Sequence, residues 1–355
     1  MDVHQFAASL SYGDAISDEM LEIQSVLREK GFRSEIFVKM FDPRSAKHIK
    51  DYREYKKVSS PKNVVIFHFS IGSAVSKLFF RVPDKKMMIY HNITPHEFFV
   101  DSHRVLAREC YKGRLEINLF VDKVDLAVGD SEFNRQELEA VGYKATAVLP
   151  ILMNFSKFDG QPDAATEKIF DNGKTTLLYV GRLIPNKKIE DVLKTYHFYK
   201  RYFNPDSQLI LAGDYRGLER HFASLQELVA KLKIMDVHFS GHVEFAELLA
   251  FYRAADFYIS MSEHEGFGVP LLEAFYNKIP VIGYAAGAVE ETMNGGGVTL
   301  YKKDFLKTAA LIDRIQSDGA LRARIVEGQL RSLEKYSREN VSRVLIEHIE
   351  RVSGG

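Results

Sequence analysis

Short apolar runs alternate with longer stretches of mixed apolar and polar positions along most of this chain, and the two repeat with different periods. Val3-His4-Gln5-Phe6, Ser34-Glu35-Ile36-Phe37-Val38, Val64-Val65-Ile66-Phe67, Met87-Met88-Ile89-Tyr90 and Leu126-Ala127-Val128 have the length and residue types of strands. After the first of them, Ile16, Met20, Ile23 and Leu27 recur at helical spacing, and Gly31 ends that helix. Ser131 predicts an N-cap for a helix from Glu132 to Ala140, closed by Gly142. Strands separated by helices imply a parallel sheet covered on both faces.

The alternation breaks after Leu149-Pro150-Ile151-Leu152. A polar stretch rich in Asp, Gly, Pro and Thr follows as far as Lys174 and reads as a linker. The pattern then restarts, with strands at Thr176–Val180, Gln208–Ala212, Val237–Phe239, Phe257–Ser260 and Val281–Gly283, and a helix from Ile189 to Tyr202. The aromatic residues Tyr196, Phe198, Tyr199, Tyr202 and Phe203 read as packing for that helix. Val341, Val344, Leu345, His348 and Ile349 give the tail a last helix between Ser337 and Val352. The expected fold class is therefore α/β, with two Rossmann-like doubly wound parallel-sheet domains facing a cleft, the default place for a ligand. The expected boundaries are 1–153, 154–334 and a C-terminal helix over 335–355.

Composition changes this picture little. With 355 residues, either half can bury a core, and 46% hydrophobic with 27% charged residues fits a soluble globular protein. A formal net charge of +0 gives no global pointer to nucleic acid. Cys110, the single cysteine, permits no internal disulfide and no metal pattern, and it reads as a buried residue on a helix. No secretory signal is expected from the first ten residues, and no apolar run is long enough to span a bilayer. A reducing, cytoplasmic setting fits these features. The basic stretch Lys39 to Lys57 reads as a solvated face, with contact to an anionic membrane surface or a lipid-diphosphate as the functional alternative.

The chemistry concentrates in Glu263-His264-Glu265-Gly266-Phe267-Gly268-Val269-Pro270-Leu271-Leu272-Glu273. Glycines let the backbone approach a ligand, and Pro270 suits the first position of a helix. Free amides at that helix start suit an anionic or hydroxyl-rich ligand. Glu265 precedes the helix and Glu273 is expected in its first turn, so both carboxylates can serve one pocket. This string, with Ala274, Lys278-Ile279-Pro280-Val281-Ile282 and Gly287, resembles the signature of retaining GT-B glycosyltransferases of family 4, glycosyltransferase group 1, which includes many mannosyl- and glucosyltransferases. Gly181-Arg182-Leu183-Ile184-Pro185-Asn186-Lys187 resembles that family's G-R-x(4)-K motif, with Lys188 where the family usually has Gly.

The resemblance implies roles residue by residue. Arg182 and Lys187 would hold the donor diphosphate and offset the charge that builds as the sugar leaves. Glu273 would accept hydrogen bonds from the ribose, and Glu265 would face the donor sugar or its anomeric carbon. Gly266, Phe267 and Gly268 would offer donor contacts, the last two through backbone amides. In the first half, Ser11-Tyr12-Gly13-Asp14 resembles the family's first glycine loop, with Gly13 passing close to the diphosphate. Asp14 either contacts acceptor or caps the following helix. His91, after a strand, resembles a histidine often placed near the donor sugar, where a neutral imidazole can donate to a hydroxyl. His68 and Ser70, at the end of the preceding strand, are candidates for the acceptor side.

The resemblance also implies that the last helix crosses back to the N-terminal domain. The reaction it implies is transfer of a hexose from a nucleotide-diphosphate sugar, GDP-mannose or a UDP-hexose, to a glycan or lipid-linked acceptor in cell-surface polysaccharide synthesis. No cofactor and no metal are expected, since no Asp-x-Asp motif occurs and the basic pair can stand in for a divalent ion. Two other readings compete. A dinucleotide-dependent oxidoreductase would need a G-x-G-x-x-G after an early strand, which this chain lacks. A non-catalytic nucleotide-sugar-binding protein with a degenerate transferase fold would bind a nucleotide and turn nothing over.

Overall fold

The computed structural model describes residues 1–354 and separates into two compact units. The first comprises Met1–His96, Val105–Asn154 and the chain from Lys335 to its described end. The second comprises Glu97–Arg104 and Phe155–Glu334.

The first unit is built on β1 (Val3–Leu10), α1 (Ala15–Glu29), β2 (Ile36–Phe41), β3 (Ile49–Asp51), β4 (Val64–Phe69), α2 (Ala74–Phe79), β5 (Lys85–Tyr90), α3 (Arg104–Glu116), β6 (Leu126–Gly129), α4 (Glu132–Val141) and β7 (Thr146–Val148). Its strands form a seven-stranded sheet in the order β3-β2-β1-β4-β5-β6-β7, with every pairing parallel. β4 and the end of β5 are buried on both faces, which is why they read as continuous apolar runs. Ile23, Val26 and Leu27 of α1 pack on Val3, Val64, Ile66, Met87 and Ile89 of the sheet. Phe67, Phe69, Phe79 and Phe120 form an aromatic cluster on the sheet's other face. Ser131 caps α4 through the Asn134 amide, and Gly142 closes it in the left-handed region at φ 113°. Cys110 is buried on α3.

The second unit contains α5 (Ala164–Phe170), β8 (Thr175–Val180), α6 (Ile189–Tyr202), β9 (Ser207–Ala212), α7 (Glu219–Leu232), β10 (Val237–Gly241), α8 (Phe245–Ala254), β11 (Phe257–Ser260), α9 (Val269–Tyr276), β12 (Val281–Tyr284), α10 (Val289–Met293), β13 (Val298–Leu300), α11 (Phe305–Ser317) and α12 (Gly319–Leu333). Its six strands run parallel in the order β10-β9-β8-β11-β12-β13. The polar stretch read as a linker therefore contains a helix, α5, which packs against α8. Its shortness hid it, because seven residues inside a polar stretch show no full helical period. Tyr196 and Tyr199 of α6 are fully buried, whereas Tyr202 is 60% exposed.

The chain ends in α13 (Arg338–Ser353), which belongs to the first unit. Val341, Leu345, Ile349 and Val352 join the same apolar cluster as α1, and His348 bonds to the Val148 carbonyl at 3.0 Å. Arg338 pairs with Glu22 and Glu29 of α1. The two sheets share one consequence of their strand order. In the first, the connections reverse direction between β1 and β4. In the second they reverse between β8 and β11. Open parallel sheets bind ligands outside the carboxyl ends of their strands at such points.

Candidate functional site

In the second unit, the loops leaving β8 and β11 lie side by side because those strands are neighbours. The loop after β8 carries Gly181 to Lys187, and the loop after β11 carries Glu263 to Gly268. Asn186, 2% exposed, ties them together. Its carbonyl accepts from the Glu263 amide at 2.8 Å, and its side-chain nitrogen donates to the His264 carbonyl at 3.1 Å. Lys187 adds a charged link, its Nζ 2.6 Å from both carboxylate oxygens of Glu265. The two side chains are 21% and 12% exposed, so the pair is only partly hydrated. Arg182 is exposed, and among the described residues its guanidinium makes no hydrogen bond or close ion pair, its charge being felt only at longer range by Asp214. Cations kept at a strand end, one of them unengaged, suit an anionic ligand.

The backbone around Glu265 is tightly specified. Gly287 sits at φ +57°, and a Cβ there would collide with the Glu265 carbonyl. That carbonyl accepts from the Ala288 amide at 2.9 Å. Gly268, at φ +98°, is the residue that turns the chain into α9, and Pro270 lies in that helix's first turn. Thr292 donates to the Phe267 carbonyl at 2.6 Å, which holds the loop from the α10 side. Glu273 lies past the first turn of α9, not in it, because the helix already starts at Val269, and it is buried there, accepting from the Tyr252 hydroxyl at 2.7 Å. Burial, with the Glu273 charge beside it, pushes the Tyr252 hydroxyl well above its ordinary value, so it stays a donor. Gly266 is partly exposed beside Glu265, while the Phe267 ring is buried. The structure thus gathers Arg182, Lys187, Glu265, Gly266, Phe267, Gly268 and Glu273 on adjoining loops and one helix.

Lys188 takes a left-handed backbone, φ 50° and ψ 50°, immediately before α6. A glycine would be unstrained there, which is the physical content of the departure at this position. Its ammonium lies 3.2 Å from Glu263, a residue that Lys303 also reaches at 2.9 Å. Lys188 is therefore engaged by an acid beside the loop.

In the first unit, Gly13 is exposed at φ 74° between β1 and α1. Asp14 caps α1, accepting from the Ser17 amide at 3.1 Å and hydroxyl at 3.0 Å. Ser70 is partly exposed at the end of β4. The two histidines occupy a different environment. His68 is 2% exposed, and its ring is spent on Gln5 and His91. The His91 side chain is 1% exposed and meets Asp130 at 3.1 Å and Glu19 at 3.7 Å. Neither ring is open to solvent in this structure. Glu19, His68 and His91 bring ligand atoms within 4.8 Å of one another. The imidazoles nevertheless meet each other at 2.9 Å, too close to admit an ion between them, and the group is a hydrogen-bonded one.

Residues 161–330 match the family model of glycosyl transferases group 1. The matched segment lies within the second unit and includes both of its charged loops. Curated proteins agree with this group 1 match. An uncharacterized glycosyltransferase of Methanocaldococcus jannaschii is 30% identical over 171 residues, 47% of this chain and 42% of the relative. The O-antigen chain mannosyltransferase B of Escherichia coli is 29% identical over 164 residues, 46% of this chain and 42% of the relative. These matches span less than half of the relatives' length. Two solved structures resemble the whole chain in fold. They are sucrose-phosphate synthase of Thermosynechococcus elongatus (TM-score 0.78, 17% identity, all of both chains) and Anabaena HepE in complex with UDP-glucose (TM-score 0.76, 15% identity, 99% of this chain and 100% of that one). The architecture, two Rossmann-like parallel-sheet units, is the GT-B fold of these neighbours.

Several residues of these sites carry little signal in the sequence. Asn186 sits in the variable gap of its motif, and Tyr252 is remote from Glu273 in sequence. Glu19 left one usable signal, an acid one turn before Ile23 on the apolar face of α1. Asp130 left none beyond its place between a strand and an N-cap.

Proposed function

We propose that the protein is a retaining hexosyltransferase that takes its sugar from a nucleotide diphosphate. The observation that carries this reading is the cation pair after β8, with Lys187 against Glu265 and Arg182 unengaged, on the loop next to buried Glu273. A diphosphate would occupy Arg182 and draw Lys187 into sharing its charge between phosphate and Glu265. Negative charge grows on the departing diphosphate as the anomeric bond breaks, and fixed cations there lower the barrier by several kcal/mol in total, on the order of the known effect of such preorganised groups. This is the work a divalent ion does elsewhere, so the reading requires neither metal nor cofactor. Glu273, oriented by Tyr252, would accept from the ribose hydroxyls. Glu265 would face the sugar, and an acceptor alcohol would attack the face from which the diphosphate leaves.

The group 1 match and the mannosyltransferase relative support a hexose, with GDP-mannose and UDP-hexoses as the donors to test. The fold neighbour solved with UDP-glucose supports the same class. We assign acceptor-side roles to Asp14, His68 and Ser70, donor-side roles to Gly13 at the diphosphate and His91 behind the donor sugar, and the acceptor to a glycan or lipid-linked sugar of cell-surface polysaccharide. Among the described residues no helix is long and apolar enough to cross a membrane. Peripheral work at the cytoplasmic membrane surface is part of this reading.

A melting screen tests the reading. GDP or UDP should raise the melting temperature by several degrees, since a ligand at about a hundred times its Kd adds about 2.7 kcal/mol. NAD should not. Arg182→Ala should abolish the nucleotide shift, and an undiminished shift with full turnover in that variant would remove the diphosphate assignment. Binding without turnover of any sugar nucleotide would point instead to a non-catalytic binding protein.

A further inference from the structure

Four polar side chains cross the interior of the first unit, each from a strand adjacent to the next in the sheet. Gln5 comes from β1, His68 from β4, His91 from just after β5 and Asp130 from just after β6. Gln5 Oε1 lies 2.9 Å from His68 Nε2, His68 Nδ1 lies 2.9 Å from His91 Nε2, and His91 Nδ1 lies 3.1 Å from Asp130 Oδ2. The two rings are parallel within 4°, with centroids 5.1 Å apart. Glu19 of α1 approaches the same His91 nitrogen at 3.7 Å, and its other oxygen accepts from the Leu152 amide at 3.3 Å. All of these side chains are 3% exposed or less.

The direction of every hydrogen bond in this ladder follows from its first member. Gln5 Nε2 donates to the Met20 carbonyl at 3.0 Å, so the amide oxygen must be the atom that faces His68. An oxygen there requires a hydrogen on His68 Nε2. A neutral His68 with that hydrogen has a lone pair on Nδ1, which must accept from His91 Nε2–H. His91 Nδ1 meets Asp130 Oδ2 at 3.1 Å, closer than Glu19 at 3.7 Å, and an ionised Asp130 only accepts, so this nitrogen too carries a hydrogen. Both nitrogens of His91 are then donors, and the ring is an imidazolium.

We propose that Gln5 and Asp130 are positioning residues, set at the two ends of a ladder that fixes His91 as a buried, oriented imidazolium, with Glu19 completing its acidic wall. Electrostatics agree with the geometry. Burial works against charge on His91, but Asp130, by charge and hydrogen bond, then Glu19 and Asp14, outweigh it and move the ring above its ordinary range. His68 is held well below its ordinary range by burial and by the charge on His91. Burial pushes Glu19 and Asp130 upward against the pull of His91. A ring whose two nitrogens are both spent as donors cannot take up a proton, so His91 is no general base. Its contribution is a fixed charge felt by Asp14 at the start of α1, and this part of the inference rests on the transferase reading above.

The test is nitrogen-15 NMR of the full chain with labelled histidine, His91 assigned through His91→Gln. Wild-type His91 should show both ring nitrogens protonated from about pH 6 to about pH 8. His68 should stay neutral with its hydrogen on Nε2. In Asp130→Asn the His91 midpoint should fall by about one pH unit or more. A singly protonated wild-type His91 at neutral pH, or an unmoved midpoint in the variant, would overturn the proposal, and the first of these needs no variant to fold. With donor and acceptor present, Asp130→Asn should lower kcat about tenfold or more while leaving KM for the donor unchanged. It should also move the alkaline limb of the rate profile to lower pH. A variant with lowered midpoint yet full turnover and the wild-type profile would leave the ladder structural and refute its link to the reaction. If the wild-type protein turns over no sugar nucleotide, the transferase reading falls, and the spectra decide the state of His91 by themselves.

Discussion

A lysine held by both oxygens of one glutamate is a poor resting place for two functional groups unless something displaces them. Lys187 and Glu265 are partly buried, so removing either leaves the other incompletely solvated, and a charged ligand arriving at Arg182 offers Lys187 a second partner. These two residues were legible in the sequence as types at a spacing. Their mutual contact was not, because it depends on two strands being neighbours. Glu19 is the opposite case, a single acid whose importance comes wholly from burial. Its folded-state value lies above the ordinary 4.5, near 8, because burial disfavours the carboxylate. The folded protein therefore binds the proton more tightly than the unfolded chain does. Its stabilising contribution is full below about pH 4.5 and is lost as pH climbs toward about 8. Glu19→Gln keeps an acceptor for the Leu152 amide and cannot ionise. Denaturant unfolding should then show a flatter decline of stability from acid to neutral pH in the variant. An identical pH slope in both proteins would contradict the buried, proton-holding carboxyl.

Elements place these residues through their ends. β8 and β11 finish beside each other, and Asn186 binds their loops into one surface. Gly268 and Pro270 start α9 where the second loop stops, and Glu273 then falls inside the helix and under Tyr252. The strands and the helix start were readable from period, glycine and proline. Helix α5 was not, because seven residues are too few to print a helical period. Helix α1 offers a sharper question, since its cap Asp14 is also a candidate acceptor contact. Asp14→Ala should cost about 1 kcal/mol by loss of the cap, whereas Asp14→Asn should retain it. If turnover falls in Asp14→Ala and stays normal in Asp14→Asn, the residue is a cap. If both variants lose turnover, the carboxylate itself meets the acceptor or the charge on His91.

At the scale of the whole molecule, the chain makes two units, each with its own parallel sheet and core, and the last helix completes the first of them. Leu345 is fully buried among residues from α1, β4 and β5. Leu345→Ala should cost about 2–5 kcal/mol, felt in the first unit. The nucleotide-induced melting shift assigned to the second unit should survive. Loss of that shift with the fold otherwise intact would place the nucleotide elsewhere. The sequence by itself determined the class of this protein, because alternating periods, glycine stops and a proline-started helix are local consequences of backbone geometry. It also determined which residue types stand at the charged loops. Only the tertiary structure decided which strands are neighbours, and with them the pairing of Lys187 to Glu265, the bond from Tyr252 to Glu273 and the ladder from Gln5 to Asp130. Such contacts join residues far apart in the chain, and their energies depend on burial, which no local pattern records.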